Sequence, residues 1–164
     1  MTFSMTSRSL LLALGTAAAG LLAVALVAQY GFGLHPCELC MYQRYPYMAI
    51  IVLGAGGALL VKPPQRQWKF AFICGLLLLF DGGIAWYHAG VEWGIFPGPT
   101  ACSAAASSGE TLEDMRRAIL NAPLVPCNQP MAHILGLSLA AWNGIAAALL
   151  AMATFSLLGK IHDR

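Results

Sequence analysis

At 164 residues, with 59% hydrophobic and only 10% charged residues, the chain reads as one domain and is excluded from the ordinary run of soluble globular proteins. Its net charge of +2 is spread without a basic cluster, which excludes a nucleic-acid surface. Strict two-residue alternation is absent too, so the apolar material predicts helices that satisfy their own backbone in lipid.

Four runs are long and nearly free of charge: residues 9–30, 45–61, 68–90 and 135–159. A bilayer core of ~30 Å needs ~20 helical residues, and each run reaches or approaches that length. The expected fold is an all-α membrane protein, a four-transmembrane-helix bundle in a single integral domain. The first run is too long for a signal-peptide core and is preceded by one basic residue, Arg8. It is read as a retained span, although small residues near Ala23 and Ala25 resemble a cleavage site.

Between the first two spans lies an outer loop, residues 31–44, carrying "HPCELCMYQR". Pro36 can open a helical turn that holds Cys37 and Cys40. Pro46 would cost a hydrogen bond inside one continuous helix, which favours a separate short turn for the cysteines. In the second span, "GAGG" (residues 54–57) follows no strand and is read as close helix packing, not a dinucleotide fingerprint. "VKPPQRQW" then makes a tight inner connection to the third span.

The second outer loop, residues 91–134, holds most of the polar material. Cys102 and Cys127 flank "TLEDMRRAIL", in which Thr111 and Asp114 match a capping box. Leu112, Met115 and Ile119 recur at helical spacing opposite Glu113, Arg116 and Arg117, predicting a short amphipathic helix that ends near Asn121 and Pro123. It would rest either on the bilayer surface or on the bundle top.

Arg8, Lys62, Arg66, Lys69, Lys160 and Arg164 fall on one side of such a bundle, and Arg44, Arg116 and Arg117 on the other. The positive-inside rule then places both termini in the cytoplasm. Two spans separate the cysteine loops, so both face one compartment whichever way the chain inserts. On the charge rule it is the extracytoplasmic one, where disulfides persist.

Cys37-Glu38-Leu39-Cys40 is a CxxC. Covalent haem attachment needs His next, and Met41 stands there. Zinc held by all four outer cysteines is an alternative, but no metal site is expected, and cycling between dithiol and disulfide is the preferred reading. Cys37, Cys40 and Arg44, spaced three and four apart, would share a helical face, so that Arg44 favours a Cys40 thiolate or else snorkels as an ordinary interfacial arginine. Glu38 opposes thiolate formation and is expected to point elsewhere.

The Cys102/Cys127 pair would either tie its loop down or exchange with an incoming thiolate, and a CxxC on the same face favours exchange. With no nucleotide, flavin or haem motif present, the remaining electron acceptor is a quinone in the lipid, reaching Cys40 near the ends of spans two and three. His88, in "AWYHAG", could donate a hydrogen bond or proton to a quinone oxygen, or sit in an aromatic belt with Trp86 and Tyr87. Asp81, deeper in the span, must be paired or protonated, and Asn143 of span four is a candidate partner. Cys74 falls too far inward for exchange and reads as packing.

CxxC followed by "MYQR", then a paired-cysteine loop and a fourth span, resembles the DsbB-type disulfide bond formation proteins of bacterial inner membranes. The resemblance covers the whole chain. It implies that Cys102 forms a mixed disulfide with a reduced thioredoxin-like oxidase of the DsbA type in the periplasm, and that Cys127 resolves the loop pair. It further implies that Cys37 exchanges with the loop cysteines, that Cys40 faces a ubiquinone or menaquinone with the help of Arg44, and that His88 lies near it. Glu92 stands where some relatives carry another polar residue. The vitamin K epoxide reductases use the same two kinds of cysteine pair in the reverse order, which argues against them. A non-redox small transporter or packing subunit, with structural disulfides and an ion path through Asp81 and His88, is the alternative from another class.

Overall fold

The computed structural model describes residues 6–99, 111–113, 116 and 125–162. In chain order these form α1 (Ser7–Gly31), α2 (Glu38–Tyr42), α3 (Arg44–Leu59) and α4 (Pro64–Glu92), then β1 (His133–Ile134), β2 (Leu137–Ser138) and α5 (Leu139–His162). Three of these helices, α1, α4 and α5, are long and apolar enough to cross a membrane. Helix α3 has 16 residues, or about 24 Å at ~1.5 Å per residue. Most of the amphipathic helix expected at residues 111–121, its capping partner Asp114 included, lies outside the described residues.

Local chemistry sets the helix ends. Thr6 caps α1 in a reciprocal box: the Ser9 N–H donates to Thr6 Oγ1 at 3.2 Å, and the Thr6 N–H donates to Ser9 Oγ at 2.8 Å. Pro64 occupies the first turn of α4, where its missing N–H costs nothing, so the helix begins earlier than the apolar run at residue 68 suggests. At the other end of α4, Gly94 takes φ 72° and donates to the Val91 carbonyl, while the Ile95 N–H returns to the Gly90 carbonyl at 2.8 Å. These are the two bonds of a Schellman cap, and they turn the chain sharply away beyond Glu92.

The fourth apolar run behaves differently from its expectation. Residues 135–138 are apolar enough to extend the span, but Leu135 (φ 53°) and Gly136 (φ 83°) form a left-handed turn joining the antiparallel pair β1 and β2. Helix α5 therefore starts at Leu139, where Ser138 Oγ accepts the Ala141 N–H at 3.2 Å.

Helix α4 packs most extensively along α5, and α1 along α3, whereas α1 and α5 meet only sparsely. Leu11, Leu14, Tyr47, Ile50, Cys74, Leu78 and Leu158 fill the core between them. Val24, Val52, Leu60, Leu79 and Leu149 point outward. A bundle apolar inside and out has lipid as its solvent. The "GAGG" segment packs as expected: a Cβ on Gly54 would stand 2.8 Å from the Leu11 carbonyl oxygen, so α1 and α3 touch backbone to backbone. Cys74 is wholly buried in the same core.

Candidate active site

Cys37 is the N-cap of α2, and its sulfur accepts the Cys40 N–H at 3.4 Å. The short helix stops at Gln43, three residues before Pro46, so the cysteines do ride a turn of their own ahead of α3. The two sulfurs lie 3.2 Å apart with Cys37 also 3.5 Å from His88 Nε2. The hydrogen bond from the Cys40 thiol, with His88 second, outweighs burial and lowers the Cys37 thiol to about 4. That same bond, then burial, the Cys37 charge and Glu92, push the Cys40 thiol up. The thiolate thus rests on Cys37, not on Cys40 as the helical spacing suggested. The physical reason is the cap position, which turns Cys37 toward its neighbour's N–H and toward α4. Glu38 does point away, accepting from Tyr42 Oη at 2.7 Å.

His88 comes from α4 and is buried, at 2% exposure. Its Nδ1 is 3.1 Å from Gln43 Nε2, and its Nε2 is 3.7 Å from Glu92 Oε1, one turn further along the helix. Beyond Gln43 the polar contacts continue into the bundle. Asn143 Nδ2 donates to Gln43 Oε1 at 3.1 Å and to Asp81 Oδ2 at 3.0 Å, and Tyr47 Oη donates to Asn143 Oδ1 at 2.6 Å. The pairing of Asp81 with Asn143 expected from the sequence is present. Asp81 Oδ1 is buried without a hydrogen-bond partner among the described residues.

A cavity of about 300 Å³ opens where α1 and α5 stand apart. Its walls are mostly aliphatic, including Leu21, Leu22, Val24, Ala28, Leu139 and Ala146. Polar groups gather at one end: Cys40, Gln43, Arg44, Tyr47, Asn143 and Trp142. Arg44 Nη1 donates to Gln29 Oε1 of α1 at 2.7 Å, which braces the guanidinium against the cavity wall. Cys40 and Arg44 therefore do share one space. His88 is not among the lining residues; it stands on the Cys37 side of the pair.

Cys127 is disulfide-bonded and 1% exposed, and it packs in one apolar cluster with Cys37, Leu39 and Val91, against which Cys40 and Val125 rest. Cys102 lies outside the described residues. The structure thus brings Cys37, Cys40, Cys127 and His88 together, with Arg44 on the cavity face. Gln43 and its link through Asn143 to Asp81 escaped sequence reasoning. The available signal was the rarity of amide side chains in such an apolar chain.

The family model described as "Disulfide bond formation protein DsbB" matches residues 7–157. Disulfide bond formation protein B of Aromatoleum aromaticum is 30% identical over 168 residues, covering 97% of this chain and 96% of that protein. The Pasteurella multocida protein of the same name is 32% identical over 148 residues, 88% of this chain and 81% of that one. An uncharacterized protein of Rickettsia prowazekii, RP370, is 30% identical over 125 residues, 74% and 70% of the two chains. No solved structure gives a significant match.

Proposed function

This chain belongs to the DsbB family of disulfide bond formation proteins, and we propose that it reoxidises a periplasmic thioredoxin-like dithiol oxidase of the DsbA type and passes the electrons to membrane quinone. The observation that carries this reading is the placement of Cys40 on an apolar cavity between α1 and α5 while Cys37, its thiolate neighbour, packs beside disulfide-bonded Cys127. One cysteine faces protein and the other faces lipid.

In this reading α1, α3, α4 and α5 are four spans of a bacterial inner-membrane protein, α3 being extended outward by α2. The termini are cytoplasmic, and residues 31–44 and 91–134 are periplasmic. The partner's two thiols reduce the Cys102–Cys127 disulfide through a mixed disulfide at Cys102, leaving the partner oxidised. The loop dithiol then reduces a Cys37–Cys40 disulfide, with Cys37 exchanging. The reformed Cys37/Cys40 dithiol gives up two electrons and two protons as its disulfide returns.

The cavity fits the head of a quinone, whether ubiquinone or menaquinone: its walls are aliphatic and its polar end holds a cation and two amides beside a thiol. When bound, a quinone supplies a two-electron, two-proton acceptor. Arg44 would hold it by a charge-assisted hydrogen bond, with Gln43 and Asn143 flanking. His88, buried on Cys37, serves the thiol pair and not the cavity.

Thiol trapping in membranes tests the reading. With quinone withheld, all four outer cysteines should accumulate reduced, and they should reoxidise when quinone is restored. Cysteines that stay oxidised throughout would favour structural disulfides and the non-redox alternative.

A further inference from the structure

His88 presents two ring nitrogens, and on a neutral imidazole only one carries hydrogen. We infer that Gln43 is a positioning residue that fixes the tautomer of His88, placing the ring hydrogen on Nε2 toward the Cys37 sulfur. The inference deepens the redox reading above and rests on it for its meaning in catalysis. It converts His88 from a proton acceptor for Cys37 into a hydrogen-bond donor to the Cys37 thiolate.

The polarity of the chain of contacts carries it. A carboxyl oxygen of Asp81 accepts, so Asn143 turns its Nδ2 toward Asp81, and the Tyr47 hydroxyl donates to Asn143 Oδ1. Asn143 Nδ2 also faces Gln43, which must answer with Oε1, at 3.1 Å. The Gln43 amide can then offer His88 only Nε2, a donor, at 3.1 Å from Nδ1. A donor against Nδ1 requires a lone pair there, which leaves the hydrogen on Nε2. The other side of the ring agrees independently, since two acceptors face Nε2: Cys37 Sγ at 3.5 Å and Glu92 Oε1 at 3.7 Å.

Two consequences follow from the chemistry. Nε2 already carries hydrogen and does not take the proton that leaves Cys37, and the Cys40 thiol, its sulfur 3.2 Å away, keeps its own proton and donates a hydrogen bond to the thiolate. The donor atoms of Cys37, Cys40 and His88 lie within 4.8 Å of one another. Yet the Nε2 hydrogen and the Gln43 bond at Nδ1 occupy both ring lone-pair positions, so this trio is not poised to hold a metal.

The test is a tautomer assignment on the reduced full-length protein in detergent. Long-range proton–nitrogen correlation spectra of protein carrying 15N-labelled histidine separate the two tautomers, and the His88→Gln spectrum assigns the signals. The wild-type protein should show a bare Nδ1 and a protonated Nε2 at His88. Gln43→Glu keeps an acceptor for Asn143 but replaces the donor facing His88 with an acceptor, and should place hydrogen on Nδ1. The same variant should slow alkylation of Cys37 at pH 5 about twofold, as expected when its thiol value rises from about 4 to about 5. A bare Nε2 in the wild-type protein overturns the inference, as does a His88 spectrum unchanged by Gln43→Glu. If that variant fails to fold, the wild-type spectrum still decides. The spectrum needs no turnover, so the expected tautomer in a protein that does not reduce quinone would sink the redox reading alone.

Discussion

The two faces of α1 meet the rest of the bundle in opposite ways. Toward α3 it closes down on glycine, with Gly15 and Leu11 against Gly54 at backbone contact. Toward α5 it stands off, and the gap becomes the cavity onto which Cys40, Arg44 and Asn143 open. Small residues draw the helices together in one place, and longer polar side chains edge an opening in the other. In lipid, where apolar surface gains little by meeting apolar surface, close contact and hydrogen bonding decide where helices touch. The tight contact is scaffold, and the open one is where chemistry can occur.

The comparison can be broken from either side. The largest effect is expected at the thiol pair beside the open side, from Cys37→Ser, which removes the residue carrying the low thiol value. In the reduced wild-type protein, alkylation should persist from neutral pH down to about 4 and fall below it, because the lowered value keeps the nucleophilic thiolate present above it. The variant should lose this acid-resistant reactivity, as read by mass spectrometry of the trapped protein.

Arg44→Ala should come next. A charged hydrogen-bond donor is worth about 1.5–3 kcal/mol, so the KM for quinone should rise roughly 10- to 100-fold while exchange with the partner thiols stays intact. On the tight side, Gly54→Ala drives a methyl against the Leu11 carbonyl and should cost about 1–3 kcal/mol of stability by overpacking, measured as unfolding in detergent. The smallest effect is expected from Asn143→Ala, which strips partners from Asp81, Gln43 and Tyr47 at a cost of about 0.6–1.7 kcal/mol.

Much of the scaffold was legible in the residues. Apolar run length marked the helices, "GAGG" marked the close contact, and a lone intramembrane Asp81 demanded a partner that Asn143 supplies. What escaped depended on backbone turns of a few residues. Leu135 and Gly136 look helical by hydropathy, yet their positive φ values make a hairpin there. Cys37, Cys40 and Arg44 have helical spacing, yet Cys37 is a cap, so it faces His88 while Cys40 and Arg44 face the cavity. His88 was expected near the acceptor; what the sequence could not show is that its Nε2 stands 3.5 Å from the Cys37 sulfur.

The central claim is that electrons leave the protein at Cys40, on the open side of α1. Quinol formation by the purified full-length protein, supplied with a reduced periplasmic thioredoxin-like partner and quinone, tests it most directly. The account predicts one quinol per partner disulfide formed, with quinol formation lost in Cys40→Ser. Undiminished quinol formation by Cys40→Ser would contradict it.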